Sequence, residues 1–154
     1  KISYPYIRFA EPYLNYAEAD AEYTGTLSAK GLAYLNKVRN RAGLPNFEVS
    51  WAKVGGMPTG DELVKVIRQE RMIEFMFEGR WYHDLRRWKI AGDYMGKSAQ
   101  GWNLAGKTAE DFYKVTDVYE GAQVITFETP RNYWLAIPQD QININPNLVQ
   151  NPGY

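Results

Sequence analysis

Apolar residues recur with helical spacing from Ala10 onward. Tyr13, Leu14, Ala17 and Ala21 follow it at i+3, i+4, i+7 and i+11. This stripe is typical of an amphipathic helix that buries one face against a core. The sequence therefore predicts a first helix that begins at Ala10.

A second helix is predicted after the turn at Thr24-Gly25-Thr26. Ser28 is a suitable N-cap, because its hydroxyl can accept a bond from an unpaired backbone N–H of the first turn. The apolar positions that follow it are Leu32, Leu35, Val38 and Ala42. Since the connection between the two helices is short, we expect an antiparallel hairpin of the tetratricopeptide kind.

A longer third helix is predicted after a connecting loop rich in Gly and Pro that spans residues 45–60 and contains Trp51. Thr59 or Asp61 can cap this helix, which should run to Gly79. Its apolar face would consist of Leu63, Val66, Ile67, Ile73, Met76 and Phe77. Residues 80–88 could continue it as a bent or separate helix.

The second half of the chain has a different pattern. Glycines between Gly92 and Gly106 predict irregular structure around Trp102. Residues 112–120 and 123–128 are rich in β-branched and aromatic residues and predict a small β-hairpin. The prolines in the last part of the chain predict an extended, ordered C-terminal tail, which should bury Tyr133, Trp134, Leu135 and Ile137. The fold class is therefore mainly α.

Composition excludes several classes of function. The 154 residues carry 18 basic and 18 acidic side chains, so no net charge draws the chain toward nucleic acid. There is no cysteine and a single histidine, which argues against a zinc site. No stretch approaches the ~20 apolar residues that a membrane-spanning helix needs. We expect no cofactor and no metal.

Three carboxylates share a ridge of the predicted third helix, because Glu70, Glu74 and Glu78 are spaced by four residues. A di-iron site would require Glu-x-x-His pairs, which are missing from this sequence. The alternative is a structural network of ion pairs. Its candidate partners are Arg39, Arg41, Arg71, Arg80, Arg86 and Arg87.

No set of residues predicts catalysis. His83 is adjacent to Asp84, but neighbours in a helix point about 100° apart, and no activated nucleophile accompanies them. The acidic residues include no defensible acid and base pair of a glycosidase. We therefore predict no catalytic residues and no enzyme activity, with a hydrolase as the less favoured alternative.

The tryptophans divide by context. Trp81, Trp88 and Trp134 lie in apolar segments and are predicted to be core residues. Trp51 and Trp102 lie in segments rich in Gly and Pro, where an indole face could stack on a ligand. These two are the candidate ligand-binding residues.

Four segments, in order, resemble the SusD/RagB family of nutrient-capture lipoproteins of Bacteroidetes. They are residues 4–19, with Tyr4-Pro5-Tyr6-Ile7-Arg8-Phe9-Ala10-Glu11 at the start; residues 35–44; residues 67–88, which include Phe77-Glu78-Gly79-Arg80-Trp81; and residues 136–154. They are distributed in this order across nearly the whole chain. The resemblance identifies residues 1–154 as the C-terminal domain of such a protein.

This resemblance implies a longer helical protein that a lipidated cysteine anchors at the extracellular face of the outer membrane. It also implies non-enzymatic capture of a glycan and its delivery to a SusC-like TonB-dependent transporter. The implied partners are a glycan or peptide ligand, the transporter and the N-terminal remainder of the same protein, and no nucleic acid. The alternatives are a RagB-like peptide binder and a structural segment that only docks to the transporter.

Overall fold

The computed structural model describes residues 7–118 and 126–154. Its contacts separate two compact units, Lys1–Trp81 and Tyr82–Tyr154. The single domain predicted over residues 1–154 stays a prediction, and each unit is described here by itself. In the described ranges, every helix is too short or too polar to cross a lipid bilayer.

The first unit is built from helices. They are α1 (Ala10–Thr24), α2 (Ala29–Arg41), α3 (Phe47–Ala52) and α4 (Gly60–Glu74). Helix α1 packs against both α2 and α4. The apolar stripe predicted from Ala10 forms the core, in which Leu14 and Ala17 are fully buried together with Leu35 of α2.

Local capping explains the hairpin of α1 and α2. Gly25 ends α1 in the left-handed conformation, with φ 72°, and its N–H bonds to the Ala21 carbonyl at 2.9 Å. Only glycine takes this conformation at little cost. Ser28 then caps α2, because its Oγ accepts from the Gly31 N–H at 3.1 Å. The predicted helical hairpin and its cap are confirmed.

Helix α3 lies in the segment that was predicted to be a loop. It forms because Phe47 is fully buried and its N–H donates to Asn36 Oδ1 of α2 at 2.7 Å. The surrounding glycines and prolines mask this short helix in the sequence. Trp51 therefore lies in a helix and not in a loop.

The third predicted helix ends earlier than expected. Helix α4 stops at Glu74, and Phe77 has a positive φ of 63°, which an α-helix cannot continue. Ile73, Met76 and Phe77 were predicted on the buried face, but all three are exposed, Phe77 completely. Phe75 takes the buried position. Helix α5 (Arg80–Arg87) then follows as a separate helix, which was one of the two alternatives for this segment.

The second unit contains short elements. They are α6 (Ala91–Tyr94), β1 (Gln100–Trp102), α7 (Ala109–Phe112), β2 (Val115–Asp117), a 3-10 turn (Arg131–Tyr133) and α8 (Gln139–Ile144). Strands β1 and β2 pair antiparallel, with Trp102 opposite Val115. The small two-stranded sheet is confirmed, but β1 comes from the segment predicted to be irregular, and residue 112 is helical. Residues 119–125 of the predicted hairpin lie outside the described residues.

The C-terminal tail is ordered by hydrogen bonds more than by burial. Trp134 and Leu135 were predicted to be buried, but they are 52% and 74% exposed. The Gln150 side chain bonds to both the N–H and the carbonyl of Ile137, each at 2.9 Å. Asn151 Nδ2 donates to the Leu135 carbonyl at 2.7 Å. Proline removes backbone donors from this segment, so side-chain amides satisfy its polar groups.

Candidate functional site

The two candidate tryptophans lie in different units and different environments. Trp51 is half-buried in α3, with its ring centroid 5.9 Å from that of Phe47, and it packs against the core of the first unit. This packing gives Trp51 a structural role. Contact between Trp51 and a ligand stays a prediction.

Trp102 belongs to a cluster of three aromatic rings at the surface of the second unit, which we call the Trp102 cluster: Trp102, Phe112 and Tyr113. The Trp102 ring lies 5.6 Å from Phe112 and 5.3 Å from Tyr113, and it is nearly perpendicular to Tyr113 at 84°. Trp102 is 57% exposed and Tyr113 is 62% exposed. Edge-to-face packing orients these rings and leaves their outer surfaces open to a ligand.

Backbone pairing positions the Trp102 cluster. Strand pairing sets Trp102 opposite Val115, and the Asn103 N–H lies 3.1 Å from the carbonyl oxygens of both Phe112 and Lys114. The segments that carry the three rings are thereby joined directly. The rings are consequently held by main-chain bonds and do not depend on side-chain packing alone.

A glycine and a helix cap complete this support. A Cβ atom on Gly106 would lie only 2.5 Å from the Phe112 backbone nitrogen, so the loop can approach α7 only with glycine at this position. Thr108 caps α7 by accepting from the Asp111 N–H at 3.1 Å. Both contacts hold α7, and with it Phe112 at its C-terminal end, in place.

Polar groups flank the Trp102 cluster. Lys114 Nζ lies 2.7 Å from Asp111 Oδ1, and this bond lowers the pKa of the Asp111 carboxyl. On the strand side, Gln100 Nε2 donates to Asp117 Oδ1 at 3.4 Å. An exposed aromatic surface bordered by hydrogen-bonding side chains can bind a ligand that has both apolar faces and hydroxyl groups.

The three carboxylates of the predicted ridge form ion pairs, as the structural alternative predicted. Glu70 pairs with Arg39, and Glu74 pairs with Arg8 and with Arg41. Arg8 also bonds to Glu78 at 2.7 Å. Arg39 and Arg41 were predicted partners, whereas Arg8, which precedes the first helix, was missed.

The other arginines named from the sequence form bonds to groups outside the ridge of Glu70, Glu74 and Glu78. Arg71 donates to Asn15 Oδ1 at 2.7 Å, and Arg80 pairs with Glu11 at 3.0 Å. Arg86 donates to the Tyr133 carbonyl at 2.6 Å. Arg87 pairs with Asp84 at 2.8 Å. These contacts join the helices to neighbouring segments and indicate a structural framework.

Two carboxyls of this framework respond to pH in opposite directions. The hydrogen bond from Arg8 lowers the pKa of Glu78, so its charge stabilises the fold above the ordinary carboxyl range, and that contribution is lost as the pH falls. Burial raises the pKa of Glu70 against the opposing effect of Arg39. Protonated Glu70 therefore stabilises the folded state at low pH. This contribution to stability is lost as the pH rises through the raised pKa of Glu70.

We expect opposite pH profiles from Glu78→Gln and Glu70→Gln. Below about pH 4, the stability advantage of the wild type over Glu78→Gln should shrink, since the ordinary carboxyl pKa is about 4.3. Over the same acidification, the wild type should gain stability relative to Glu70→Gln. Urea unfolding between pH 3 and pH 7 measures both, with ~0.5 pH unit steps. If the stability difference from the wild type changes with pH in the same direction for both variants, the opposite pKa shifts of Glu78 and Glu70 are contradicted.

His83 and Asp84 make different contacts in the structure. Its ring packs edge-on against Tyr82 with centroids 5.4 Å apart, while Asp84 is buried and pairs with Arg87. Among residues 7–118 and 126–154, no group of three or more His, Asp or Glu side chains could hold a metal ion. The Trp102 cluster is therefore the candidate functional site.

The whole chain, residues 1–154, matches the SusD family. This chain belongs to the SusD family. SusD-like protein P2 of Formosa agariphila is 28% identical to it over 149 residues, which are 96% of this chain and 25% of that protein. The resemblance read from the four sequence segments is thus confirmed.

Solved structures support the same SusD assignment. BT4246 superposes with a TM-score of 0.75 at 30% identity, over 97% of this chain and 23% of that one. A SusD-like carbohydrate binding protein from Bacteroides fragilis gives a TM-score of 0.70 at 29% identity, over 94% of this chain and 28% of that one. This chain spans about a quarter of the length of SusD-like protein P2 and of these two solved structures.

The sequence identified Trp102 but missed the other rings of the site. Phe112 and Tyr113 were assigned to a strand, because aromatic residues favour strands. The signal that could have located them is Thr108, which is a good N-cap and predicts a short helix that ends just before Tyr113.

Proposed function

We propose that this chain takes part in non-enzymatic capture of extracellular glycans at the outer-membrane surface and in their delivery to a SusC-like TonB-dependent transporter. The observation that carries the proposal is the exposed Trp102 cluster, in a chain of the SusD family. A flat, apolar face of a sugar ring packs well on an exposed indole, and its hydroxyl groups can bond to the polar side chains beside it.

Similarity supports the choice of a glycan as the ligand. The related protein from Bacteroides fragilis is described as carbohydrate binding, and it is 29% identical to this chain over the aligned region, which covers 94% of this chain. A peptide ligand is the alternative within the same family, and a segment that only supports the rest of the protein is another. An enzyme is less favoured, because the ridge carboxylates Glu70, Glu74 and Glu78 are engaged by arginines.

The proposal is tested by adding neutral oligosaccharides, such as maltoheptaose and xyloglucan oligosaccharides, to the intact protein. Calorimetry should detect saturable binding of at least one glycan. Mass spectrometry of the recovered sugar should show no shortened product after prolonged incubation. A cleaved product would favour the hydrolase alternative, and binding of peptides without glycans would favour the RagB-like alternative.

Delivery requires a physical complex with the transporter. Co-purification of a tagged intact protein from outer membranes should recover a TonB-dependent transporter in stoichiometric amount. If no transporter is recovered with the tagged protein, that result would contradict the delivery step but not glycan capture. The two parts of the proposal are thus tested separately.

A further inference from the structure

A second aromatic surface lies in the first unit, where α1 meets α2. Tyr13 stacks on Tyr34 with ring centroids 4.8 Å apart, and Phe9 stacks on Tyr13 at 6.0 Å. Tyr16 meets Tyr34 edge-on at 5.3 Å.

Two lysines lie over this row of rings. Lys37 Nζ is 5.1 Å from the Tyr13 ring centre and 5.4 Å from that of Tyr34. Lys30 Nζ is 5.1 Å from the Tyr16 ring centre and 5.7 Å from the Tyr34 ring centre. Within the described parts of the chain, neither lysine forms an ion pair with a carboxylate. The faces of the rings thus hold two ammonium groups by cation–π contacts.

Lys37 also borders a hollow of about 270 Å³. The Phe9 and Tyr13 rings line it, and Phe9 is 78% exposed. Ala10 and Val38 contribute buried apolar surface to the same lining. The hollow approaches the lower limit of small-molecule pockets, which is about 300 Å³, so it suits a single ring and not a large ligand.

The charge balance of this hollow favours one anionic group. Arg8 and Arg41 also line it, but Glu74 and Glu78 already pair with them. Lys37 is therefore the lining cation without an acidic partner among the described residues. A carboxylate or sulfate placed against its ammonium group would form a charge-assisted bond.

We propose that the hollow bordered by Phe9, Tyr13 and Lys37 binds an acidic sugar residue, with the sugar ring on the aromatic side chains and its carboxylate or sulfate on Lys37. This site is separate from the Trp102 cluster and adds selectivity for acidic glycans to the proposed capture. The aromatic lining favours a sugar over a bare inorganic anion, which would gain nothing from the rings.

The test uses the intact protein carrying Trp102→Ala, so that binding at the Trp102 cluster does not contribute. The probes are tetragalacturonate, a kappa-carrageenan tetrasaccharide as the sulfated counterpart, and maltotetraose as the neutral control. Lys37→Met removes the ammonium group and keeps the aliphatic stem. Lys30→Met is the matched control, because Lys30 contacts the same Tyr34 ring but does not line the hollow.

We expect Lys37→Met to weaken binding of an acidic probe about tenfold, since that factor corresponds to loss of one charge-assisted bond. Lys30→Met should change it less than about twofold. The acidic probe that binds more tightly identifies the anionic group. Equal losses in the two variants, the same loss with maltotetraose, or no binding of either acidic probe would overturn the proposal.

A peptide probe addresses the remaining class of ligand. Tetraglutamate should bind at least tenfold more weakly than the better acidic sugar. Tighter binding of the peptide, with the same dependence on Lys37, would overturn the assignment to sugars. These results leave glycan capture at the Trp102 cluster testable by itself, because that site is measured in the protein that retains Trp102.

Discussion

Replacing Arg39 by Met should destabilise the protein more than any other single change in the ionic framework, by about 3–5 kcal/mol. The Arg39 guanidinium is 9% exposed and pairs with Glu70. It also donates to the Pro45 carbonyl and to Ser50 Oγ, each at 2.9 Å. Its removal would leave the half-buried Glu70 carboxylate and the Pro45 carbonyl without their partner.

Arg41→Met provides the matched control, because Arg41 also pairs with a carboxylate of the ridge but is 63% exposed. We expect it to cost less than about 1 kcal/mol. Urea unfolding at pH 7 measures both variants. Equal losses would show that burial of Arg39 contributes nothing.

A double variant separates the contribution of the Arg39–Glu70 ion pair from that of the other Arg39 bonds. Arg39→Met combined with Glu70→Leu removes both charges of the pair and fills the space with apolar side chains. It should recover a large part of the stability that Arg39→Met loses, because no unpaired carboxylate remains. No recovery would mean that Ser50 and the Pro45 carbonyl carry the effect.

Replacing Trp102 by Ala should weaken glycan binding by about 2 kcal/mol, which is roughly 30-fold in Kd. Trp102 is the central ring of its cluster, in contact with both Phe112 and Tyr113. It is also more than half exposed, so its loss should not unfold the protein. Calorimetry with the glycan that the wild type binds measures the change.

Trp134→Ala is the matched control for this variant. Trp134 is exposed to a similar extent, 52% against 57% for Trp102, but it lies in the tail and outside the cluster. We expect less than about twofold loss of affinity, as for most residues outside a binding hot spot. If both variants bind as tightly as the wild type, this chain is a supporting segment and the ligand contacts lie elsewhere.

Periodicity in the sequence predicted the helices whose packing is local. Ala10, Leu14 and Ala17 fall on one face of α1 at the spacing that an amphipathic helix requires, and all three are buried. Ser28 was recognisable as an N-cap because a hydroxyl at that position has a direct partner in the same turn. Such features depend only on residues that are close in sequence.

Two of the features that the sequence did not predict depend on distant partners, and a third depends on a local backbone conformation. Helix α3 forms around a bond from Phe47 to Asn36, eleven positions earlier. Arg8 meets Glu74 across 66 positions, and no pattern along the chain relates the two. Phe77 was placed on a buried face because the helical period continued past Glu74, but its positive φ ends that period.

The candidate site was predicted in part for the same reason. Trp102 stood out as a large ring in a segment rich in glycine. Its ring partners Phe112 and Tyr113 follow ten and eleven positions later, and strand pairing together with α7 brings them to it. Composition identified one ring, and only the fold showed that three rings form a surface.

The most direct test of the account is a crystal structure of the intact protein with its tightest-binding neutral oligosaccharide. That structure shows directly whether this chain supplies a surface that contacts the glycan. We predict a sugar ring packed against Trp102, with Tyr113 beside it and the oligosaccharide uncleaved. A well-ordered glycan that touches no residue of the Trp102 cluster would contradict this prediction.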